Sequence, residues 1–231
     1  MERHLLARCL DTVCTYMAGG LGAQTALSSV VSLAVNSATP VELVSVTAPV
    51  QGIVKTAAAT DDRLTQLDRF QSPVIEAFRS GNPYLVDDTL SEERWPEYSK
   101  VCATHDIRSV AALPLRAGPL TFGTLNLFSR HPRAIAPLVL EELSPLVSLA
   151  AAVLAHEKTI ADAQRSITDM ENRLNRREEI EQAKGVLIAT MRCSVERATE
   201  TLIDQSQREN RKLHEVAHSI VRQAAGLPDR R

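Results

Sequence analysis

From Leu146 to Arg177 one series of residues recurs at alternating steps of three and four. It runs Leu146, Leu149, Val153, His156, Ile160, Ala163, Ile167, Met170, Leu174 and Arg177, with only His156 and Arg177 polar. This is a heptad seam of more than four repeats on a single long helix. Such a helix cannot bury the stripe against itself and needs a partner. A second copy in parallel is the expected partner, with Leu149, Val153, Ile160, Ala163, Ile167, Met170 and Leu174 as the dimer seam. The alternative is a partner within the chain, either the flank of the N-terminal part or the C-terminal helices.

Aromatic residues divide the chain. All eight lie between Tyr16 and Phe128, and none occurs from Ser129 onward. The first part reads as mixed α and β. Leu27, Val30, Val31 and Ala34 keep helical spacing, and Pro40 closes that segment. Val41–Thr47 and Ile53–Ala59 are β-branched runs around a Pro-Val-Gln-Gly turn. Short helices are expected over Asp61–Leu67 and Val74–Arg79, the second ended by Ser80-Gly81-Asn82-Pro83. Ser109–Arg116 and Leu120–Phe128 form a hairpin across Ala117-Gly118-Pro119. Thr124 and Asn126 alternate there with Leu125 and Leu127, the pattern of a half-buried strand.

Several function classes drop out on composition and motif. With 231 residues and a formal net charge of −2, no global field draws the chain to nucleic acid or membrane, so such binding must use a local patch. Thr12 to Val41 is free of charge, yet only Leu27–Val35 is an apolar stripe, too short to span a bilayer. Arg8 and Asp11 interrupt any signal-peptide core. Cys9, Cys14, Cys102 and Cys193 keep no disulfide spacing, which fits a reduced, cytoplasmic setting. Cys102 and His105 make a lone C-x-x-H, better read as a buried thiol than as a metal site. No Walker loop, G-x-G-x-x-G, H-E-x-x-H, G-x-S-x-G or kinase signature occurs. Asp61-Asp62 and Asp87-Asp88 read as caps and turns, so no enzyme is expected.

Beyond the seam the stripe shifts to Ile180, Ala183, Leu187 and Met191. Two short amphipathic helices follow. Ser194 caps the first, which turns Val195, Ala198, Leu202 and Ser206 inward. Asn210 opens the second, which carries Leu213, Val216, Ala217, Ile220 and Val221 and stops at Gly226-Leu227-Pro228. From Arg165 onward there are 13 Lys and Arg against 11 Asp and Glu. Arg177 and Lys184, seven apart, share a helix face, while Arg208, Arg211, Lys212 and Arg222 gather around the last helix. Gly185 sits mid-helix, where glycine costs about 1 kcal/mol relative to alanine. Either a close helix or an approaching ligand would explain it.

The stretch RREEIEQAKGVLIATMRCSVERATETLIDQSQRENRKLHEVAHSIV closely resembles the ANTAR domain of transcription antitermination regulators. The family's Arg, Ile, Ala-Lys-Gly and aliphatic positions correspond to Arg177, Ile180, Ala183, Lys184, Gly185, Val186 and Leu187. Its later positions correspond to Ser194, Glu196, Ala198, Leu202, Asn210, Lys212, Leu213, Val216 and Ala217. Cys193 replaces the usual Gly, and Thr199 the usual Phe, which empties an aromatic position of the small core. The first part resembles a GAF domain of the kind found ahead of ANTAR modules in actinobacteria. The resemblance is carried by GNPYLVDDTLSEERWPEYSKVCATHDIRSVAALPL and GTLNLFSR, without the Asn-Lys-x-x-Phe nucleotide signature. Ser72-Pro73-Val74 stands in place of the Gly-Pro-Cys of similar domains.

What the resemblance implies is dimeric recognition of RNA stem-loops in nascent transcripts, controlled by a sensor that holds a small molecule or nothing. No cofactor is named by the sequence. The expected class is α+β: a GAF-like antiparallel sheet with flanking helices over residues 1–144, a coiled-coil helix over 145–175, a three-helix ANTAR bundle over 176–226, and a tail over 227–231. Expected RNA contacts are Arg177, Lys184, Gly185, Arg208, Arg211 and Lys212. An apolar ligand pocket is expected among Phe78, Trp95, Tyr98 and Phe122. A DNA-binding regulator and a coiled-coil protein-interaction module are the alternatives.

Overall fold

A computed structural model describes residues 2–226, so the expected tail lies outside the described residues. The chain divides into two compact units, residues 1–159 and 160–231.

In the first unit, helices α1 (Glu2–Met17) and α2 (Ala23–Ser37) precede strands β1 (Leu43–Val50) and β2 (Ile53–Ala59). The strand β1 runs through the expected Pro-Val turn residues, and the turn is Gln51-Gly52, with φ of 52° and 81°. Positive φ at both central positions matches the right-handed strand twist, which is why a Gly stands there. The segment expected as a helix over 61–67 is a 3-10 helix, Asp62–Arg69, capped by the Asp61 carboxylate on the Arg63 amide. Helix α3 (Pro73–Ser80) starts on the Ser72 hydroxyl and ends at Gly81 in the left-handed region, as the sequence signals indicate. Strand β3 (Tyr84–Val86), helix α4 (Pro96–Thr104), strands β4 (Ser109–Ala117) and β5 (Leu120–Ser129) and helix α5 (Pro137–Glu142) complete the set before α6 (Ser144–Met191).

The five strands form one antiparallel sheet in the order β2-β1-β5-β4-β3. Alternation along the strands supplies two apolar faces. Val44, Val46, Ala111, Leu113, Leu115, Leu125 and Leu127 share a core with residues of α1, α2 and the first turns of α6. Val110 and Phe128 share a second core with Leu64, Leu67, Trp95, Tyr98, Cys102 and Ile107. Thr124 and Asn126 are therefore fully buried rather than solvated. Gly123 of β5 is fixed by contact: a Cβ there would stand 2.1 Å from the Thr47 carbonyl oxygen and 2.7 Å from Leu154 Cδ1 of α6.

The α6 helix is continuous over 48 residues. Its expected seam is not uniform. Leu149 and Val153 are only 3% and 1% exposed, seated in the first unit's own core with Leu146 and Ala150. Those two positions are corrected from dimer contacts to intrachain core. An α-helix turns about 20° per heptad relative to an exact seven-residue repeat, so one sequence stripe can serve two partners. Ile160, Ile167, Met170 and Leu174 are 50%, 50%, 65% and 66% exposed, and Ala163 is exposed too.

In the second unit, the end of α6 joins α7 (Val195–Glu209) and α8 (Leu213–Ala224) in a small bundle. Ala183, Leu202, Val216 and Ala217 are its buried centre, with Ile180, Leu187, Leu213, Ile220 and Val221 packed around them. Ser194 caps α7 by accepting from the Arg197 amide. Asn210 does not open α8: it closes α7 at φ 50°, and Lys212 takes the N-cap place of α8. Val195 is exposed, not inward.

Candidate functional site

Two arginines and two histidines of the second unit stand along one face of α8 and the turn before it. Arg211, His214, His218 and Arg222 follow at steps of three and four, opposite the apolar Leu213, Val216, Ala217 and Ile220. Together with Glu179 of α6, Glu215 and Ser219 they line an open cleft of about 430 Å³. The His218 Nδ1 lies 2.9 Å from the Glu179 carboxylate and ties α8 to α6. The Arg211 guanidinium is held in place: it donates to Glu209 at 2.9 Å, to the Glu215 carbonyl at 3.2 Å and to the Ser219 hydroxyl at 2.8 Å. Its fork is thus fixed before any ligand arrives, with side-chain entropy already spent. Sequence reading missed His214, His218 and Ser219. The signal was available as the polar complement of the same helical period that marked the apolar face.

The other expected contacts are dispersed. Arg177, Arg208 and Lys212 are exposed and line no part of this cleft. The Arg208 Nε donates to the Asp204 carbonyl. Lys184 is mostly shielded and pairs with Glu181 at 2.8 Å; that pairing holds the Glu181 carboxyl below its usual value. Gly185 faces open space: an added Cβ would meet nothing within 4 Å. Among the described residues, close helix packing therefore does not account for this glycine.

The first unit holds a different kind of space. Beneath the sheet face that carries the second core, a cavity of about 10 Å³ is lined by Ser45, Thr47, Asp68, Ser72, Asn126 and several apolar residues. That is room for roughly one water. None of Phe78, Trp95, Tyr98 and Phe122, expected to line an apolar pocket, lines this cavity. Trp95 and Tyr98 are buried in the core beside it, where Trp95 meets the edge of Tyr84 and supports Arg94 on its face at 4.4 Å. Phe78 and Phe122 are half-buried elsewhere. Part of its lining is polar: Thr47 shares a hydroxyl hydrogen bond with Thr124 at 2.6 Å and Asn126 donates to Ser45, while the Asn126 Oδ1 has no protein partner. Burial raises the Asp68 carboxyl against hydrogen bonds from the Thr56 amide and hydroxyl.

Cys102, the thiol of the C-x-x-H, is buried against Tyr98, and burial pushes it up to about 12. Its neighbour in that motif, His105, reaches Gln66 instead. Among the described residues no group of three or more His, Cys, Asp or Glu could hold a metal ion, and no helix is long and apolar enough to cross a membrane.

The family model described as "GAF domain" matches residues 4–155, more than half of the chain, and the "ANTAR domain" model matches residues 168–221. The chain belongs to the GAF domain family and carries an ANTAR domain. GAF is a sensor domain and ANTAR an RNA-binding antitermination domain, so two regulatory domains share one polypeptide. No curated protein matches the chain. Among known structures, the GAF domain from Acinetobacter phosphoenolpyruvate-protein phosphotransferase is 13% identical with a TM-score of 0.55, covering 70% of this chain and 98% of that one. The GAF domain region of a protein from Geobacter sulfurreducens PCA is 21% identical with a TM-score of 0.51, covering 61% and 97%. Free methionine-R-sulfoxide reductase from Neisseria meningitidis, in complex with its substrate, is 13% identical with a TM-score of 0.50, covering 68% and 92%. At such identities the likeness concerns the GAF fold alone.

Proposed function

We propose that this protein is a cytoplasmic, non-enzymatic regulator that binds RNA stem-loops in nascent transcripts as a dimer, with residues 1–144 as sensor, 145–175 as signalling helix and 176–226 as RNA-binding bundle. The observation that carries the reading is the braced Arg211 guanidinium in the open cleft along α8 of the ANTAR domain. Arg211 is already braced by Glu209, the Glu215 carbonyl and Ser219, and it stands in one cleft with Arg222 and two histidines. A braced fork and a shaped cleft suit phosphate and groove geometry. The ANTAR domain has no Phe, Tyr or Trp, so the large aromatic platforms on which single-strand binders stack successive bases are absent from it.

Control would pass along α6. Leu146, Leu149 and Val153 anchor this helix in the GAF core and Ala183 anchors it in the bundle core. A change in the sensor that shifts the anchored turns biases the pairing of Ile160, Ala163, Ile167, Met170 and Leu174 between two copies, a population shift rather than a new structure. The sensor's ligand, if it takes one, is polar and small, or it enters by displacing α3 and the 3-10 helix, since the cavity as formed holds about one water. Crosslinking in cells followed by sequencing of co-purified RNA tests the reading. It should enrich transcripts with paired stem-loops; recovery of no RNA above a control lacking residues 176–226 would contradict it.

A further inference from the structure

The sign of the cleft along α8 is set by histidine. Arg211 and Arg222 bring two positive charges to it, and Glu179 and Glu215 bring two negative ones. These fixed charges cancel, which leaves His214 and His218 to decide whether the cleft attracts an anion. The groups facing the two imidazoles are Glu179 from α6, Arg211 from the turn before α8, and Glu215 and Arg222 from α8 itself, with the Ser219 hydroxyl among them. Glu209, at the end of α7, draws further on the Arg211 guanidinium from 2.9 Å. His218 is exposed and His214 half-buried, four residues apart on the same helix face. They are the only two histidines of the second unit; the other four, His4, His105, His131 and His156, all lie in the first.

We propose that His214 and His218 are RNA-contacting residues in their protonated form, so that the cleft holds a backbone phosphate as histidinium and releases it as neutral imidazole. The proposal rests on the RNA-binding reading above and adds to it two binding residues and a dependence on pH. At His218 the tautomer is fixed by its partner. A carboxylate only accepts, so the Nδ1 that lies 2.9 Å from Glu179 bears the hydrogen. Neutral His218 then keeps a lone pair at Nε2, which repels a phosphate oxygen. A proton added there turns the same nitrogen into a charge-assisted donor while Nδ1 still holds Glu179. The positive charge of that ring is matched by Glu179, so protonation of both histidines leaves Arg211, Arg222 and His214 opposed only by Glu215 within the cleft. Histidine is the side chain whose charge ordinarily changes between about pH 5 and 8, so this change of sign falls in the physiological range.

Titration of the full-length protein with a hairpin RNA at a series of pH values tests it, with salt dependence measured at each. From about pH 8 to about pH 6 the wild type should gain roughly tenfold in affinity, and its slope of log affinity against log salt should steepen by roughly one. His214→Gln with His218→Gln should remove that rise. His214→Arg, which makes the charge permanent, should bind more tightly than wild type at the alkaline end and vary less with pH. Circular dichroism at each pH checks that every variant is folded. If His218 only ties α8 to α6, the melting temperature will change with pH while the salt slope stays constant, and that outcome overturns the proposal. Hairpin binding that is equally tight at every pH, or a pH dependence that survives in the double variant, overturns it too and leaves the RNA reading standing. No hairpin binding at any pH overturns both.

Discussion

Two glycines on helix and strand interiors carry opposite physical roles. Gly123 has no room for a Cβ, being pinned between the Thr47 carbonyl and Leu154. Gly123→Ala should destabilise the GAF domain by about 1–3 kcal/mol or more, the range of overpacking, read as a lower denaturation midpoint at unchanged m. A Cβ added at Gly185 meets nothing within 4 Å, so Gly185→Leu should leave the helix as stable or more so while obstructing RNA. Only Gly185 drew notice in the sequence, because a glycine inside a helix is visible from one strand of text, whereas the collision at Gly123 needs β1 and α6 brought over it. Asp68 supplies a pH signature. Its folded carboxyl is raised by burial, so the folded state holds that proton at higher pH than the unfolded chain. Stability should then fall as pH rises from the ordinary carboxylate value through the raised one, and Asp68→Asn should flatten that segment of a stability–pH curve. An unchanged slope would show that the Thr56 hydrogen bonds cancel the desolvation, and a reversed one that they outweigh it.

Helix α6 is one element with two duties. Leu149→Ala should act as a core truncation and cost the GAF domain about 2–5 kcal/mol, read as a lower denaturation midpoint. Ile167→Asp with Leu174→Asp should do the reverse, giving a monomer with an intact GAF melting transition, because both side chains are exposed in the single chain. The helix itself was legible from its heptads, but the division of labour was not: Leu149 and Ile160 belong to the same written pattern, and only the sheet packed against the first shows which is covered. The long strands and α2 were likewise legible, being strongly periodic, as was the Ser194 cap. Strand β3 has three residues and α4 nine, with Trp95-Pro96 at its start, too little periodicity to announce either. Asn210 misled for a chemical reason, since asparagine both opens helices and tolerates the left-handed conformation that ends them.

At the scale of the whole molecule, one helix is shared by a sensor with a nearly filled, partly polar cavity and the bundle proposed to bind RNA. The cavity escaped the sequence because Ser45, Thr47, Asp68, Ser72 and Asn126 come from four separate segments and are polar where an apolar pocket was expected. The cleft along α8 was half-read, through Arg211 and Arg222 but not His214 or His218, because attention to formal charge passes over neutral histidine. The central claim is that the ANTAR domain reads structured RNA through α8 and the open face around Gly185. Titration of the full-length protein with a hairpin RNA and with duplex DNA of matched length, both at one near-physiological salt concentration, tests it most directly. Tighter binding to the hairpin is predicted, abolished by Gly185→Leu and weakened by Arg211→Ala, the latter also lowering the slope of log affinity against log salt by roughly one or less. Tighter binding to the duplex, with both substitutions indifferent, would contradict it.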